Sequence, residues 1–211
     1  MKKIISILFG ASLLLTTSAQ SAGMVGIKIG QGELNGENDS YTPGTAASKV
    51  AAQSADVSNE YGAIFAEIGL GDSPISVGVE YVPFEANIRL DKGESSSGAD
   101  VKDATTLYAL FAKEAGAGSL YVKAGYFMAD VTVVQDGQTI VNSHDDKLEG
   151  PMVGIGFQSE ANSIGLIFRG ELTYTELDSV SITTTSNGSS SVKKTGDGDI
   201  TTFSVGVAKS F

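Results

Sequence analysis

The sequence predicts an all-β fold, an eight-stranded antiparallel up-and-down transmembrane β-barrel. Apolar residues recur with period two along most of the chain, which indicates strands rather than helices. Short turns and long polar loops also alternate strictly between these segments. The 211 residues include 26 glycines and neither Cys nor Trp, a composition that disfavours long helices and excludes disulfides.

The first 22 residues form a separate segment. Lys2 and Lys3 precede an apolar run over residues 4–15, and small residues follow. This pattern predicts a secretory signal peptide, with cleavage after Ala19, Ser21 or Ala22 left open. A membrane-spanning helix would need about 20 apolar residues, and the run is too short for one. We therefore expect a signal peptide over 1–22 and a barrel domain over 23–211.

Eight strands are predicted in the remainder, over residues 24–33, 57–70, 75–90, 104–115, 119–135, 148–159, 164–180 and 199–211. Their short links are tight turns near 71–74, 116–118 and 160–163. Their long links are polar, near 34–56, 91–103, 136–147 and 181–198. In an up-and-down sheet this puts every short turn at one end, as is typical of bacterial outer-membrane barrels. The bilayer also requires closure, because an open edge would leave backbone groups unpaired.

Several strands have one apolar face that fits lipid. In 75–83 it carries Ile75, Val77, Val79 and Tyr81, and in 120–128 Leu120, Val122, Ala124, Tyr126 and Met128. The opposite faces are glycine-rich, which suits a narrow lumen. The glycines assigned to the interior are Gly62, Gly78, Gly125, Gly154, Gly156, Gly165 and Gly206. Strand 104–115 stays open, because Leu107 with Phe111 competes with Tyr108 with Leu110 for the apolar face.

Charged residues on the predicted interior faces indicate a lumenal ion-pair network. They are Glu67, Glu80, Lys123, Arg169 and Glu171. If the turn at 71–74 sets the register, Glu67 and Glu80 lie diagonally on one face and require a cation between them. Arg169 or Lys123 would supply it across a lumen that eight strands make just wide enough for side chains. An acid/base pair for catalysis would need substrate access that this interior denies.

The C-terminal segment is an apolar alternation that ends on an aromatic residue, with Phe203, Val205, Val207 and Phe211 on one face. It resembles the terminal assembly strand of outer-membrane barrels, and the whole mature chain resembles the small OmpA/OmpX-type barrels. Lys209 departs from the apolar residue usual near the end. The resemblance implies location in the bacterial outer membrane. It also implies contact with outer-membrane lipids and lipopolysaccharide, and insertion by the outer-membrane assembly machinery.

Charge and composition exclude several function classes. The net charge of -11 repels phosphate backbones, so we expect no nucleic-acid partner. Without Cys there is no thiol catalysis and no Cys-based zinc site. The only histidine, His144, follows Ser143, but neighbours in an extended segment point to opposite sides, which disfavours a nucleophile and base pair.

Acidic residues in the long loops leave one alternative open. Asp197 and Asp199 with Asp178, and separately Asp145 with Asp146, are candidates for a divalent cation that bridges to lipopolysaccharide. Asp-Gly pairs are equally turn formers and the calcium-loop pattern is incomplete, so we expect no metal site. We also expect no cofactor and no enzymatic activity.

We expect a mainly structural and surface role in the envelope, with the lumen plugged by charged side chains. A small porin or specific channel is the alternative, and a lipid-modifying enzyme centred on His144 is a weaker one. The surface ligand, if the loops bind one, is unknown.

Overall fold

The computed structural model describes residues 23–38, 53–92, 95–135, 138–139, 147–186 and 190–211. These residues form β-strands joined by short turns. The strands are β1 (Gly23–Asn38), β2 (Gln53–Gly69), β3 (Ile75–Val82), β4 (Ala86–Lys92), β5 (Ser95–Glu114), β6 (Gly118–Gln135), β7 (Gln138–Thr139), β8 (Lys147–Ser159), β9 (Leu166–Ser186) and β10 (Ser190–Ser210). None of the described residues belongs to a helix long and apolar enough to cross a bilayer.

The sheet closes on itself. Every pairing is antiparallel, β5 pairs with β6, and β10 pairs with β1 over 24–38. β3 and β4 both pair with β5, so they form one barrel strand that is interrupted at residues 83–85. β7 only extends the outer end of β6. The result is a closed eight-stranded antiparallel β-barrel, which confirms the predicted fold.

The three predicted short turns lie together at one end, here called the inner end. The amide of Leu70 donates to the carbonyl of Ile75 at 2.9 Å, and that of Ala115 donates to Gly118 at 2.8 Å. Gly71 and Gly116 have φ of 61° and 65°, a left-handed conformation that favours glycine. The first and last described residues lie here too, since the amide of Phe211 donates to the carbonyl of Gly23 at 3.0 Å.

At the outer end the strands run further than predicted. Several stretches that were assigned to polar loops are strand: 34–38, 53–56, 91–92, 95–103, 138–139, 147, 181–186 and 190–198. The reason is that an antiparallel pair can keep polar side chains on both faces where both are in water, so pairing continues past the apolar belt. The β9–β10 hairpin reaches furthest, with ladder partners out to Ser186 and Ser190.

The alternation of faces follows the prediction on most strands. Exposed apolar side chains form a belt around the outside, including Val25, Ile27, Ile29, Val77, Leu107, Phe111, Leu120, Val122, Val153, Ile155, Phe168, Leu172, Phe203 and Val205. The open case of β5 is resolved, because Tyr108 and Leu110 are buried while Leu107 and Phe111 face outward. Tyr81 is covered despite its place on the outer face, and its hydroxyl donates to Asp103 Oδ1 at 2.7 Å.

Two of the glycines assigned to the lumen lie elsewhere. Gly62 faces outward, because Ala63, Phe65 and Glu67 take the buried positions of β2. Gly165 is not in a strand but in the last turn, with φ of 75°.

One part of the wall lacks a continuous ladder. β2 pairs with β3 only from Ile64 with Tyr81 to Gly69 with Ser76. Beyond it, among the residues that the structure describes, no ladder joins residues 53–63 of β2 to β4. Pro83 stands at the break and has no amide hydrogen to donate. We call this unpaired stretch between β2 and β4 the seam.

The β8–β9 ladder is also short, and it ends at Met152 with Thr175, next to Pro151. Here the strands stay in contact, because Gly150 lies directly against the backbone of Glu176. The Tyr126 hydroxyl also reaches from β6 to Asp178 Oδ2 on β9, at 3.0 Å.

Candidate functional site

Six charged side chains meet inside the barrel and form what we call the charged layer. They come from five strands whose inward positions face one another: Lys28, Glu67, Glu80, Lys123, Arg169 and Glu171. Each is at most 8% exposed. The layer exists because period-two alternation directs these residues away from the apolar outer face, into a lumen narrow enough for side chains from opposite walls to touch.

Four of the six form a closed ring of ion pairs. Lys28 Nζ lies 2.7 Å from Glu80 Oε2 and 2.9 Å from Glu171 Oε1. Lys123 Nζ lies 3.1 Å and 2.9 Å from the same two oxygens. Each carboxylate thus holds both ammonium groups, so neither cation is left unpaired in the low-dielectric interior.

Arg169 and Glu67 form the second part of the layer. Arg169 Nη1 lies 3.0 Å from Glu67 Oε2, and Nη2 donates to Gln158 Oε1 at 2.6 Å. Glu67 also accepts from the Ser76 hydroxyl at 2.7 Å and from the Tyr108 hydroxyl at 3.1 Å. The register that brings Glu67 diagonal to Glu80 is the predicted one, because Phe65 is the partner of Glu80 and Gly78 that of Glu67.

Aromatic rings fill the space around these charges. The Arg169 guanidinium carbon lies 5.1 Å from the Phe65 ring centre and 5.0 Å from that of Tyr121. Lys123 Nζ lies 4.1 Å from the Tyr108 ring centre, a cation–π distance. Gly78 permits this arrangement, because a Cβ there would stand 2.5 Å from the Tyr108 ring and 2.6 Å from its hydroxyl.

The layer is balanced in charge. Its three cations, Lys28, Lys123 and Arg169, face three carboxylates, and the cross-links run between different strands. Tyr121 adds a hydrogen bond to Glu171 Oε2 at 3.0 Å. Leu110, Met152 and the rings of Tyr108 and Tyr121 pack together in one buried cluster. Side chains therefore occupy the middle of the lumen.

Above the layer, towards the outer end, lies a cavity of about 170 Å³ that we call the outer cavity. Its floor is made by Lys28, Glu80 and Lys123. Its walls are mainly apolar, with Leu34, Val57, Val82, Val101, Ala104, Phe127, Leu148, Met152 and Ile200, and with threonines 106, 173, 175 and 202 among them.

The outer cavity extends through the wall at the seam. Glu60 and Phe84, whose side chains are exposed, line it together with inward-facing residues such as Thr106. The Phe84 ring lies over Gly62, 3.2 Å from the place that a Cβ would take there. Phe84 therefore covers the outer side of the opening, and the absence of a side chain at Gly62 leaves room for it.

The five interior residues named from sequence all lie in the charged layer, and Lys28 joins them. Lys28 was missed although it stands between Gly26 and Gly30, on the polar face of a strand whose other face is Val25, Ile27 and Ile29. That alternation was the available signal. Tyr108 was missed because the faces of its strand were ambiguous.

The terminal-strand residues have the predicted placement. Phe203, Val205 and Phe211 are exposed on the outer face, and Val207, on the same face, is partly exposed. The predicted closure of this strand against residues 24–33 is confirmed by its ladder with β1. Their role in assembly stays a prediction. Lys209 donates to the carbonyl of Ile164 at the inner end.

The described residues form no binding or catalytic site at the remaining candidate positions. Residues 143–146, with Ser143 and His144, lie outside the described residues, as does the predicted signal peptide. Asp178 and Asp199 point outward at the rim and are engaged by Tyr126 and Asn35 respectively. Within the described part of the chain, no three His, Asp or Glu side chains converge as a metal site.

No protein-family model and no curated protein matches the chain, but solved structures do. Outer membrane protein OprG from Pseudomonas aeruginosa superposes with a TM-score of 0.63 at 16% identity, over 91% of this chain and 97% of that one. The outer membrane protease OmpT from Escherichia coli superposes with a TM-score of 0.51 at 10% identity, over 93% and 99%. The closed barrel, its exposed apolar belt and these likenesses agree: the chain has the fold of the small bacterial outer-membrane β-barrels.

Proposed function

We propose that the protein is an integral outer-membrane barrel with a mainly structural and surface role, whose lumen is closed by the charged layer. The observation that carries this is the ring of Lys28, Lys123, Glu80 and Glu171, with Arg169 and Glu67 beside it. A path for ions between the two ends would have to break these buried pairs, each held by at least two strands.

Lipid and lipopolysaccharide are the partners that this proposal implies. The apolar belt matches the hydrocarbon core, and the outer parts of the long hairpins stand beyond it, where lipopolysaccharide head groups lie. Insertion by the outer-membrane assembly machinery is part of the same proposal. The proposal assigns the protein no catalytic role.

Conductance in planar bilayers tests the closed lumen. We expect the wild-type barrel to show no discrete conductance steps and Arg169→Ala to show them, because Glu67 loses its cation and the layer loosens. Lys113→Ala is the matched control, since it also removes one cation but from an exposed side chain at the inner end. Steps of equal size in wild type and Arg169→Ala would overturn the closed lumen and favour the channel.

A second function is favoured by the outer cavity and the seam. An apolar cavity that is closed below and extends through the wall offers small apolar molecules a route from the outer surface sideways into the bilayer. Such a route avoids the charged layer entirely. The two functions are compatible, since the first concerns passage along the barrel axis and the second concerns passage through its wall.

Cross-linking of the seam tests this route. The chain has no native cysteine, so Gly62→Cys with Phe84→Cys, joined by a short bis-maleimide, should bridge the seam specifically. We expect the bridged barrel to slow influx of a fluorescent apolar dye into cells to the level of cells without the protein. Val77→Cys with Ala109→Cys, partners in an intact ladder, is the control. Unchanged influx after bridging the seam would remove the lateral route.

A further inference from the structure

We propose that the outer cavity selects small apolar molecules that end in a neutral hydrogen-bonding group, such as an aliphatic alcohol or a phenol. Carboxylic acids and amines of the same length should be rejected. This inference rests on the second proposed function and names the substrate class for that same cavity. It follows from the contrast between the walls of the cavity and its floor.

The walls favour an apolar body. Apart from the floor, the threonines and the polar residues Asn59, Glu60 and Glu85, the lining above the charged layer is mainly aliphatic and aromatic. Each buried CH₂ group contributes about 0.8 kcal/mol to transfer out of water. Binding by the walls alone would therefore rank ligands by chain length and ignore their end groups.

The floor adds both kinds of hydrogen-bonding group. Lys28 and Lys123 present ammonium donors, and Glu80 presents a carboxylate between them. A hydroxyl group both donates and accepts, so it can accept from a lysine and donate to Glu80 in the same position. A hydrocarbon end can do neither, although it would leave the existing ion pairs intact.

Charge balance excludes the ionised end groups. The charged layer already holds three cations and three carboxylates, so a carboxylate or ammonium brought onto its floor would be an uncompensated charge. An unpaired charge in a low-dielectric interior costs far more than an unpaired hydroxyl. Net neutrality of the layer is thus the physical basis of the selectivity.

Titrations of the full-length mature barrel in lipid nanodiscs test the inference. The probes are 1-octanol, octanoate and octylamine at neutral pH, and the readout is the amide NMR shift of cavity residues such as Thr106 and Phe127. Residues of the lipid-facing belt, such as Leu120 and Val122, report partitioning into the bilayer and serve as the internal reference. We expect 1-octanol to bind at least about tenfold more tightly than either charged probe.

Two variants change the balance in opposite directions. Glu80→Gln leaves the layer with a surplus cation, so octanoate should gain affinity. Lys123→Gln leaves a surplus carboxylate, so octylamine should gain affinity instead. Glu160→Gln, in an exposed turn at the inner end, should leave all three affinities unchanged. General loosening of the barrel cannot produce opposite preferences in the two charge variants.

The outcomes separate the inference from the function on which it rests. If no probe shifts the cavity residues, the second proposed function fails. If all three probes bind equally well, or if the wild-type barrel prefers octanoate or octylamine, the cavity binds ligands but the neutral-end selectivity is wrong. The selectivity is equally wrong if Glu80→Gln and Lys123→Gln shift the preference in the same direction.

Discussion

At the scale of single residues, Glu171 shows how densely the charged layer is connected. Its side chain is buried and accepts from Lys28, Lys123 and Tyr121, which come from two other strands, β1 and β6. Two ammonium groups therefore share one carboxylate, with Glu80 as the second bridge. Loss of Glu171 leaves both lysines with a single partner in the interior of the barrel.

We expect Glu171→Ala to lower the free energy of unfolding by about 3–5 kcal/mol, the usual cost of removing one partner from a buried pair. Urea unfolding of the barrel in lipid, followed by tyrosine fluorescence and by gel mobility of unheated samples, measures it. Glu176→Ala is the matched control, because Glu176 lies on the same strand but faces outward and is exposed; we expect a change within about 0.5 kcal/mol. If Glu171→Ala lowers the free energy of unfolding no more than Glu176→Ala does, the ring adds no stability.

At the level of single residues, the sequence predicted which side chains point into the lumen but not which of them contact one another. Alternation alone placed Glu67, Glu80 and Arg169 in the lumen. Which side chain meets which across the lumen depends on strand tilt and shear, which period-two patterns do not encode. For that reason the Lys28 pairs with Glu80 and Glu171 were not foreseen, although Lys28 lay on the correct face.

At the scale of the element, β10 completes the barrel. Its ladder with β1 runs from Ser210 to Gly196, and Phe211 adds two backbone hydrogen bonds with Gly23. The outer face of this strand is apolar from Phe203 to Val207. The strand therefore closes the sheet and also carries part of the exposed apolar belt.

Deletion of Phe211 should reduce the folded barrel in the outer membrane severalfold and leave periplasmic aggregates or degraded protein. The expected cause is the loss of both the terminal aromatic side chain and the last backbone pair of the closure. Cell fractionation followed by immunoblotting measures the level in each compartment. Phe111→Ala is the control, since it removes a similarly exposed belt aromatic but keeps the C-terminus. Normal levels of the deletion variant would contradict this role.

Strand assignment from sequence found every barrel strand but misjudged the third and the outer limits. The strand predicted over 75–90 contains Pro83, and a proline within a strand pattern is itself a signal of an edge or a break. That signal was not used in the prediction, although it marks the break next to the seam between β2 and β4. The outer ends of the strands were predicted too short, because polar residues were taken to mark the start of a loop. Strands that have water on both faces can continue through polar residues.

At the scale of the whole molecule, the alternation of short and long links orients the barrel. The turns at the inner end are compact, and both ends of the described chain, Gly23 and Phe211, lie beside them. The long hairpins all leave the other end, as strict alternation of loop lengths predicted. Because bacterial outer-membrane barrels have short periplasmic turns and long outer loops, we expect the inner end to lie in the periplasm.

Single cysteines test the orientation, since the chain has none of its own. Ser189→Cys, between β9 and β10, should react with a membrane-impermeant maleimide on intact cells, whereas Ala117→Cys should react only after the cells are lysed. Both variants should label equally in denaturant, which controls for expression. Labelling of Ala117→Cys alone on intact cells would mean that the orientation is inverted.

The two short ladders have a mechanical consequence. The β2–β3 ladder has six residue pairs and the β8–β9 ladder has seven, whereas β1 and β2 share sixteen. These two ladders lie on opposite sides and divide the barrel into two curved halves: β9, β10, β1 and β2 form one, and β3 with β4, β5, β6 and β8 form the other. The halves are tied at the inner end. Outward of Pro83 no ladder joins them among the described residues, and outward of Pro151 they keep only contacts such as Gly150 against Glu176 and Tyr126 with Asp178. Force applied to the outer hairpins is therefore expected to separate the halves first at the seam, while the ion pairs of the charged layer hold them together below it.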